Sequence, residues 1–209
     1  MSGRTAGSLV SADRSASTER YSLSFTVGGL FEREAEVLAR VYAEHPDWST
    51  VRRIALDENL LQTRTRSTGV RMVRETLKRL AVLSDDELRA LPDLTASERS
   101  HVMWAAACRQ SAFIGEFAEE VLRERFLMLA GTLGYEDFDA FVRQKALWHE
   151  ELVELKASTY VRLRQIVFRM MTDAGLLSKD GLIQTAMLSP RVASLLPSTD
   201  VQFFPTKGV

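Results

Sequence analysis

Apolar residues recur at helical spacing along most of this chain. Leu30, Val37, Leu38, Val41 and Tyr42 fall near one face of a first helix, which His45-Pro46 ends. "DWSTVRRIALDENLL" predicts a second helix, with Asp47 or Ser49 as its cap and Trp48, Val51, Ile54 and Ala55 on its buried side. A short connection follows around 60–66. Val70, Val73, Leu77 and Leu80 then recur at steps of three and four, one stripe of a third helix that starts at Ser67 or Thr68. Ser84-Asp85-Asp86-Glu87 has the spacing of a capping box and opens a short helix to Leu91, stopped by Pro92. Thr95 or Ser97 begins a long helix through Phe113. Its periodicity resumes from Phe117 to Ala130, where Gly131 and Gly134 mark the end. "YEDFDAFVRQKALWHEELVEL" supplies one or two helices, and 156–174 another, with Gly175 as its C-terminal cap.

Strand signals are few. "YSLSFT" alternates Tyr21, Leu23 and Phe25 and reads as a strand or an extended lead-in to the Val27-Gly28-Gly29 break. "GLLSKDGLI" sets Asp180-Gly181 between two apolar pairs, the strongest hairpin signal in the chain. Residues 1–20 carry almost nothing large to bury and read as a disordered arm. From Pro197 to the end, 197–209 reads as an aperiodic tail. The fold class is therefore mostly α with a minor β hairpin: an N-terminal helix-turn-helix-like module over 21–92 and a C-terminal helical module over 93–196 that ends in a winged-helix-like element.

Charge changes this picture in one place. The chain holds 27 bases and 28 acids, which excludes a globally basic coat for nucleic acid, so any such surface is local. Yet "TRTRSTGVRMVRETLKRL" gathers Arg64, Arg66, Arg71, Arg74, Lys78 and Arg79 against Glu75 alone. Adding Arg52 and Arg53 of the preceding helix gives eight bases and three acids between Trp48 and Leu83. In a helix-turn-helix the N-terminal end of the second helix meets base edges. Arg64, Arg66, Thr68 and Arg71 stand there, with Arg74 and Lys78 further along. The competing reading is a solvated face in which Glu75 pairs with Arg71 and Arg79, four residues to either side. Lys156, Arg162, Arg164 and Arg169 form a second acid-free segment. Arg162 and Arg169 share its polar face, and the helix leads into the hairpin bearing Lys179. Few aromatics lie among these bases, so duplex DNA suits them better than a stacking platform for single strands.

Other chemistry is not supported. No glycine-rich phosphate loop is present, and the position four after His149 is Val153, so no zinc-protease pair forms. Glu98 and His101 make one Glu-x-x-His pair where a di-iron bundle needs two. The three histidines read as surface or cap residues, Cys108 as a small core residue, and Trp48, Trp104 and Trp148 as core anchors. Glu116, Glu119, Glu120 and Glu124 line an acidic helix face, either solvated or a dock for a basic partner. No apolar run approaches the about 18 residues a membrane span needs. The expectations are a soluble cytoplasmic protein with no enzymatic activity, catalytic residue, cofactor, metal or small-molecule substrate.

"YSLSFTVGGL", the 47–80 segment and "LWHEELVELKASTYVRLRQIVFRMMTDAGLL" with its hairpin resemble, in order and spacing over about residues 21–196, the BrxA proteins of bacterial BREX phage-resistance systems. Glu58-Asn59-Leu60-Leu61 with Arg64, Thr65, Ser67, Thr68 and Arg71 is the most specific part. The resemblance implies a small, all-helical, non-enzymatic component that binds DNA beside a methyltransferase, an ATPase and a protease-like subunit. An older comparison of that family with a helical RNA-binding antitermination protein keeps RNA open as a ligand. A third reading is an assembly adaptor that contacts other BREX subunits through the acidic face.

Overall fold

A computed structural model describes residues 20–23 and 28–207. The expected arm, apart from Arg20, and the end of the alternating "YSLSFT" stretch lie outside the described residues. Eleven α-helices are found among the rest: α1 (Glu32–Glu44), α2 (Trp48–Asp57), α3 (Arg66–Leu80), α4 (Asp85–Ala90), α5 (Ala96–Gln110), α6 (Ala112–Phe117), α7 (Glu124–Leu127), α8 (Tyr135–Lys145), α9 (Glu150–Val153), α10 (Ala157–Asp173) and α11 (Pro190–Leu195). Short 3-10 turns cover Leu91–Asp93 and Ser198–Phe203, and a π-helical segment, Ala118–Arg123, joins α6 to α7. No helix among the described residues is long and apolar enough to cross a membrane.

Local chemistry sets most of the boundaries. Asp47 caps α2 by accepting from Thr50 N at 2.7 Å, and the hydroxyls of Ser49 and Thr50 help hold its carboxyl down to about 2. Ser84 with Glu87, and Thr95 with Glu98, close two capping boxes. α3 begins earlier than its sequence suggests. Thr65, not Ser67 or Thr68, accepts from Thr68 N at 3.2 Å. The predicted long helix through Phe113 breaks at Ser111, which is extended at φ −132°, ψ 107°. There the chain folds α6 back so closely that a Cβ on Gly115 would stand 3.0 Å from the Cys108 carbonyl.

α5 is the central element. Val102 through Ala107 are all buried, and the run of alanines lets α1, α3 and α6 approach it. Trp104 is fully buried and donates its indole N–H to the Phe203 carbonyl at 2.8 Å. The C-terminal segment that looked aperiodic is thus bound into the core, with Phe204 fully buried. Arg109 holds it from the other side. Its guanidinium meets Glu87 at 2.8 and 2.6 Å and Asp200 at 2.7 and 2.5 Å, which ties α5 to α4 and to the final 3-10 turn. A single apolar cluster runs from Tyr21 to Phe204 through both halves of the chain, and each fully buried Leu or Phe within it stabilises the fold by about 2 kcal/mol.

The 176–183 hairpin forms as isolated bridges rather than strands. Leu177 pairs antiparallel with Ile183, and Thr132 adds a third segment against Leu182. Gly181, at φ +78°, turns the tip where a Cβ would lie 3.0 Å from the Leu133 carbonyl.

Three readings need correction. Trp148 is 73% exposed, because it follows the end of α8 instead of lying on its stripe. His101 is buried, edge-on to Phe204, and burial lowers its pKa. Arg79, counted above in the basic segment and as a partner of Glu75 on a solvated face, is only 2% exposed. It donates to the carbonyls of Gly29 at 2.7 Å and Leu30 at 2.8 Å, touches Met170 Sδ at 3.3 Å, and lies 4.8 Å over the Phe31 ring. Desolvation pulls it down to about 10, against the attraction of Glu75, and it stays charged at neutral pH.

Arg79→Ala leaves two buried carbonyls without donors, at about 1–3 kcal/mol each. A loss of at least about 2 kcal/mol in urea unfolding is expected, and Arg79→Lys should recover less than half of it, because an ammonium cannot span both carbonyls and the ring. A change within ±0.5 kcal/mol contradicts the assignment. For His101, a native pKa below the ordinary 6.5 means that the unfolded chain takes up a proton the native chain refuses. Its share of stability is full above about pH 6.5 and falls as pH drops further. His101→Phe should remove that part of the pH slope in unfolding midpoints between about pH 7 and about pH 5. Equal slopes in the two proteins would rule it out.

Candidate nucleic-acid interface

α2 and α3 carry the first group of bases. Arg52 and Arg53 are exposed on α2, while Val51 and Ala55 of the same helix face the core. The connection from Glu58 to Thr65 is longer than the three to four residues of a minimal helix-turn-helix. It is nevertheless ordered by its own side chains. Asn59, at φ +48°, accepts from Thr63 N at 3.0 Å and from the Thr63 hydroxyl at 3.1 Å. Thr63 in turn sits against Gly69, where a Cβ would meet its hydroxyl at 2.7 Å. Arg64 and Arg66 flank a pocket of about 290 Å³ between this loop and the first turn of α3.

The bases from Arg64 through α3 divide by their partners. Arg64, Arg66 and Arg71 are exposed and enter no ion pair among the described residues. Arg74 and Lys78 share Glu75, at 2.9 and 3.3 Å. The pairing expected between Glu75 and the residues four away on either side does not form: the buried Glu75 meets Arg74 and Lys78 instead, and Arg79 gives its donors to backbone carbonyls. Thr68 is half-buried, and its hydroxyl is 2.8 Å from that of Thr65.

α10 and the hairpin carry the second group. Arg162, Arg169 and Lys179 are exposed. Arg169 has a long contact with Asp173, 3.7 Å. Arg164 is spent on structure: it bonds both oxygens of Asp139 at 2.9 Å and stacks over Tyr135.

The fold brings part of the two groups together. A cleft of about 630 Å³ lies between the start of α1, the first two turns of α3 and the end of α10, with Thr68 and Met72 on one wall and Arg169 and Asp173 on the other. Arg169 also lines a second cleft of about 490 Å³ that reaches Ser178, Lys179 and Gly181 of the hairpin. Arg33 of α1, absent from the candidates, borders the first cleft and is exposed. Only the folded chain brings it to the basic segments. Glu32, Glu34 and Asp173 line the same cleft, so its interior repels phosphate and any backbone contact must run along the rim. Arg52, Arg53 and Arg162 line none of these clefts. No group of His, Cys, Asp and Glu among the described residues is arranged to hold a metal ion.

The comparisons with known proteins agree with this architecture. Among curated proteins, the BREX protein BrxA of Paramagnetospirillum magneticum is 24% identical over 186 residues, 88% of this chain and 94% of that protein. The BREX protein BrxA of Bacillus cereus is 25% identical over 127 residues, 61% of this chain and 64% of the relative. That of Escherichia coli is 22% identical over 148 residues, 71% of this chain and 70% of the relative. The crystal structure of an uncharacterized protein from Magnetospirillum magneticum superposes with a TM-score of 0.72 at 23% identity, covering 88% of this chain and 96% of that one, and so shares the fold. The BrxA family model matches residues 19–200, nearly the whole described chain, and the protein belongs to the BrxA family.

Proposed function

We propose that this protein is a non-enzymatic accessory factor of a BREX phage-defence system and binds duplex DNA largely through backbone contacts from α2, α3, α10 and the hairpin. The observation that carries this reading is the set of exposed guanidinium groups, Arg64, Arg66 and Arg71, that meet no carboxylate among the described residues although acids outnumber bases in the chain. A merely solvated face would exchange such charges with neighbouring acids at i±3 or i±4, as Lys78 does with Glu75.

In this reading α2–α3 acts as a helix-turn-helix with an extended turn. The capped N-terminus of α3 adds backbone N–H groups to the arginines that approach the duplex. α10 and the short ribbon play the part of a recognition helix and wing, with Arg169 and Lys179 on phosphates. Backbone contacts of this kind give affinity and register without strong sequence preference. The names of the relatives support a place in a BREX system and suit contact with other BREX subunits.

Replacing Arg64, Arg66 and Arg71 together with Ala should weaken binding to a short duplex by at least about tenfold near physiological salt, since each lost phosphate contact removes counterion release. The melting temperature should change little, because these side chains are solvated. A folded triple variant that binds duplex as tightly as the parent would overturn the site. Preference for structured RNA over duplex in the same titration would transfer the site to RNA.

A further inference from the structure

A group of exposed apolar side chains outside the basic segments follows α8. Leu147 and Trp148 are 75% and 73% exposed, and Val153 of α9 is 71% exposed. Their neighbours are held rigidly. The His149 ring stacks on Tyr21 with centroids 3.8 Å apart. Glu151 accepts from Tyr21 N at 2.5 Å, and the Tyr21 hydroxyl donates to Glu116 at 2.5 Å. Burial, first, and then Glu116 push the Tyr21 phenol well above its ordinary range. These bonds fix the chain immediately after Trp148, and the Lys145 ion pairs hold the end of α8 before it, so the indole is presented outward without the ordering cost a mobile loop incurs on binding.

The rim of this surface is acidic. Glu150 is exposed and enters no ion pair among the described residues, and the exposed Glu154 meets Arg20. The π-helical segment faces the end of α8: Lys145 bonds Glu116 and, at 2.7 Å, Glu120. Two carboxylates on one ammonium leave an excess of negative charge there, beside the exposed Glu119. Arg20, which meets Glu151 and Glu154, and the exposed Arg143 and Lys156 nearby in sequence do not reverse the balance, since with Lys145 they are four bases against Glu116, Glu119, Glu120, Glu150, Glu151 and Glu154. A π-helical turn inside an α-helix is a costly irregularity found most often at functional sites. Three large apolar side chains bounded by carboxylates match a helix with leucine-like anchors on one face and Lys or Arg on the other. The rim repels both nucleic acid and anionic lipid. The surface also stands at the far end of α8 from the hairpin, about 16 Å along an 11-residue helix.

We infer that Leu147, Trp148 and Val153, with the carboxylates of α9 and the π-helical segment, form a docking site for a basic amphipathic helical segment of a partner protein. The site is separate from the basic face and leaves both free to act at once.

Trp148 supplies its own reporter, since Trp104 is buried and Trp48 is half-buried against Tyr42. The intact protein is titrated with three synthetic helical peptides of equal length, built from Leu and Lys, from Leu and Glu, and from Ser and Lys. The Leu/Lys peptide should bind saturably at one per chain with a blue shift of tryptophan emission, and the other two should not. Trp148→Ser should abolish that binding with unchanged circular dichroism. Glu120→Gln with Glu150→Gln should weaken it at least about fivefold. Absence of a shift with any peptide, or equal binding by Trp148→Ser, overturns the proposal. So does concentration-dependent self-association that Trp148→Ser removes, which makes a second copy the occupant, or a blue shift caused by phosphatidylglycerol vesicles.

Discussion

One buried guanidinium organises the basic half of this protein. Arg79 leaves the row of exposed arginines, enters the core, and gives its donors to the Gly29 and Leu30 carbonyls. The backbone it meets before α1 is closely packed. A Cβ on Gly28, at φ +92°, would lie 1.9 Å from the Phe31 ring, and one on Gly29 would lie 2.7 Å from Asp173 Oδ2. Arg79 also reaches Met170, so one side chain joins the lead-in to α1, the end of α3 and α10. Glu75, one turn earlier on the same side of α3, is drawn in with it. The remaining arginines of α3 are left on the solvent side by helical geometry alone.

The division of charge follows from that anchoring. A chain with nearly equal acids and bases can keep a positive surface only if its carboxylates are committed elsewhere. Here Glu87 and Asp200 are held by Arg109, Asp139 by Arg164, and Glu116 with Glu120 by Lys145. Glu75 is shared by Arg74 and Lys78, and among the described residues Arg64, Arg66 and Arg71 meet no carboxylate. The arrangement is incomplete in the cleft beside α3, which Glu32, Glu34 and Asp173 line together with Arg33 and Arg169.

Much of this was legible in the sequence. Helical periodicity, the Ser84 and Thr95 caps, and the Asp180-Gly181 turn act over a few residues, so the sequence displays them directly. Long-range choices were not. Arg79 has the same local context as Arg71 and Lys78, and only the Gly28-Gly29 backbone 50 residues away distinguishes it. The break at Ser111 depends on the approach of Gly115 to Cys108, which no local propensity encodes. Trp148 falls on an apolar pattern but just beyond the helix end, where the pattern no longer selects a face. Arg33 joins the basic rim solely through tertiary contact.

The most direct test is the salt dependence of duplex binding, since phosphate contacts release counterions and base stacking or protein contacts do not. With several exposed guanidinium groups that meet no carboxylate among the described residues, log Kobs against log salt should fall with a slope steeper than about −3, and single-stranded DNA of the same length should bind more weakly with a shallower slope. A flat slope, or no duplex binding at low salt by the folded protein, would contradict the role assigned to those arginines.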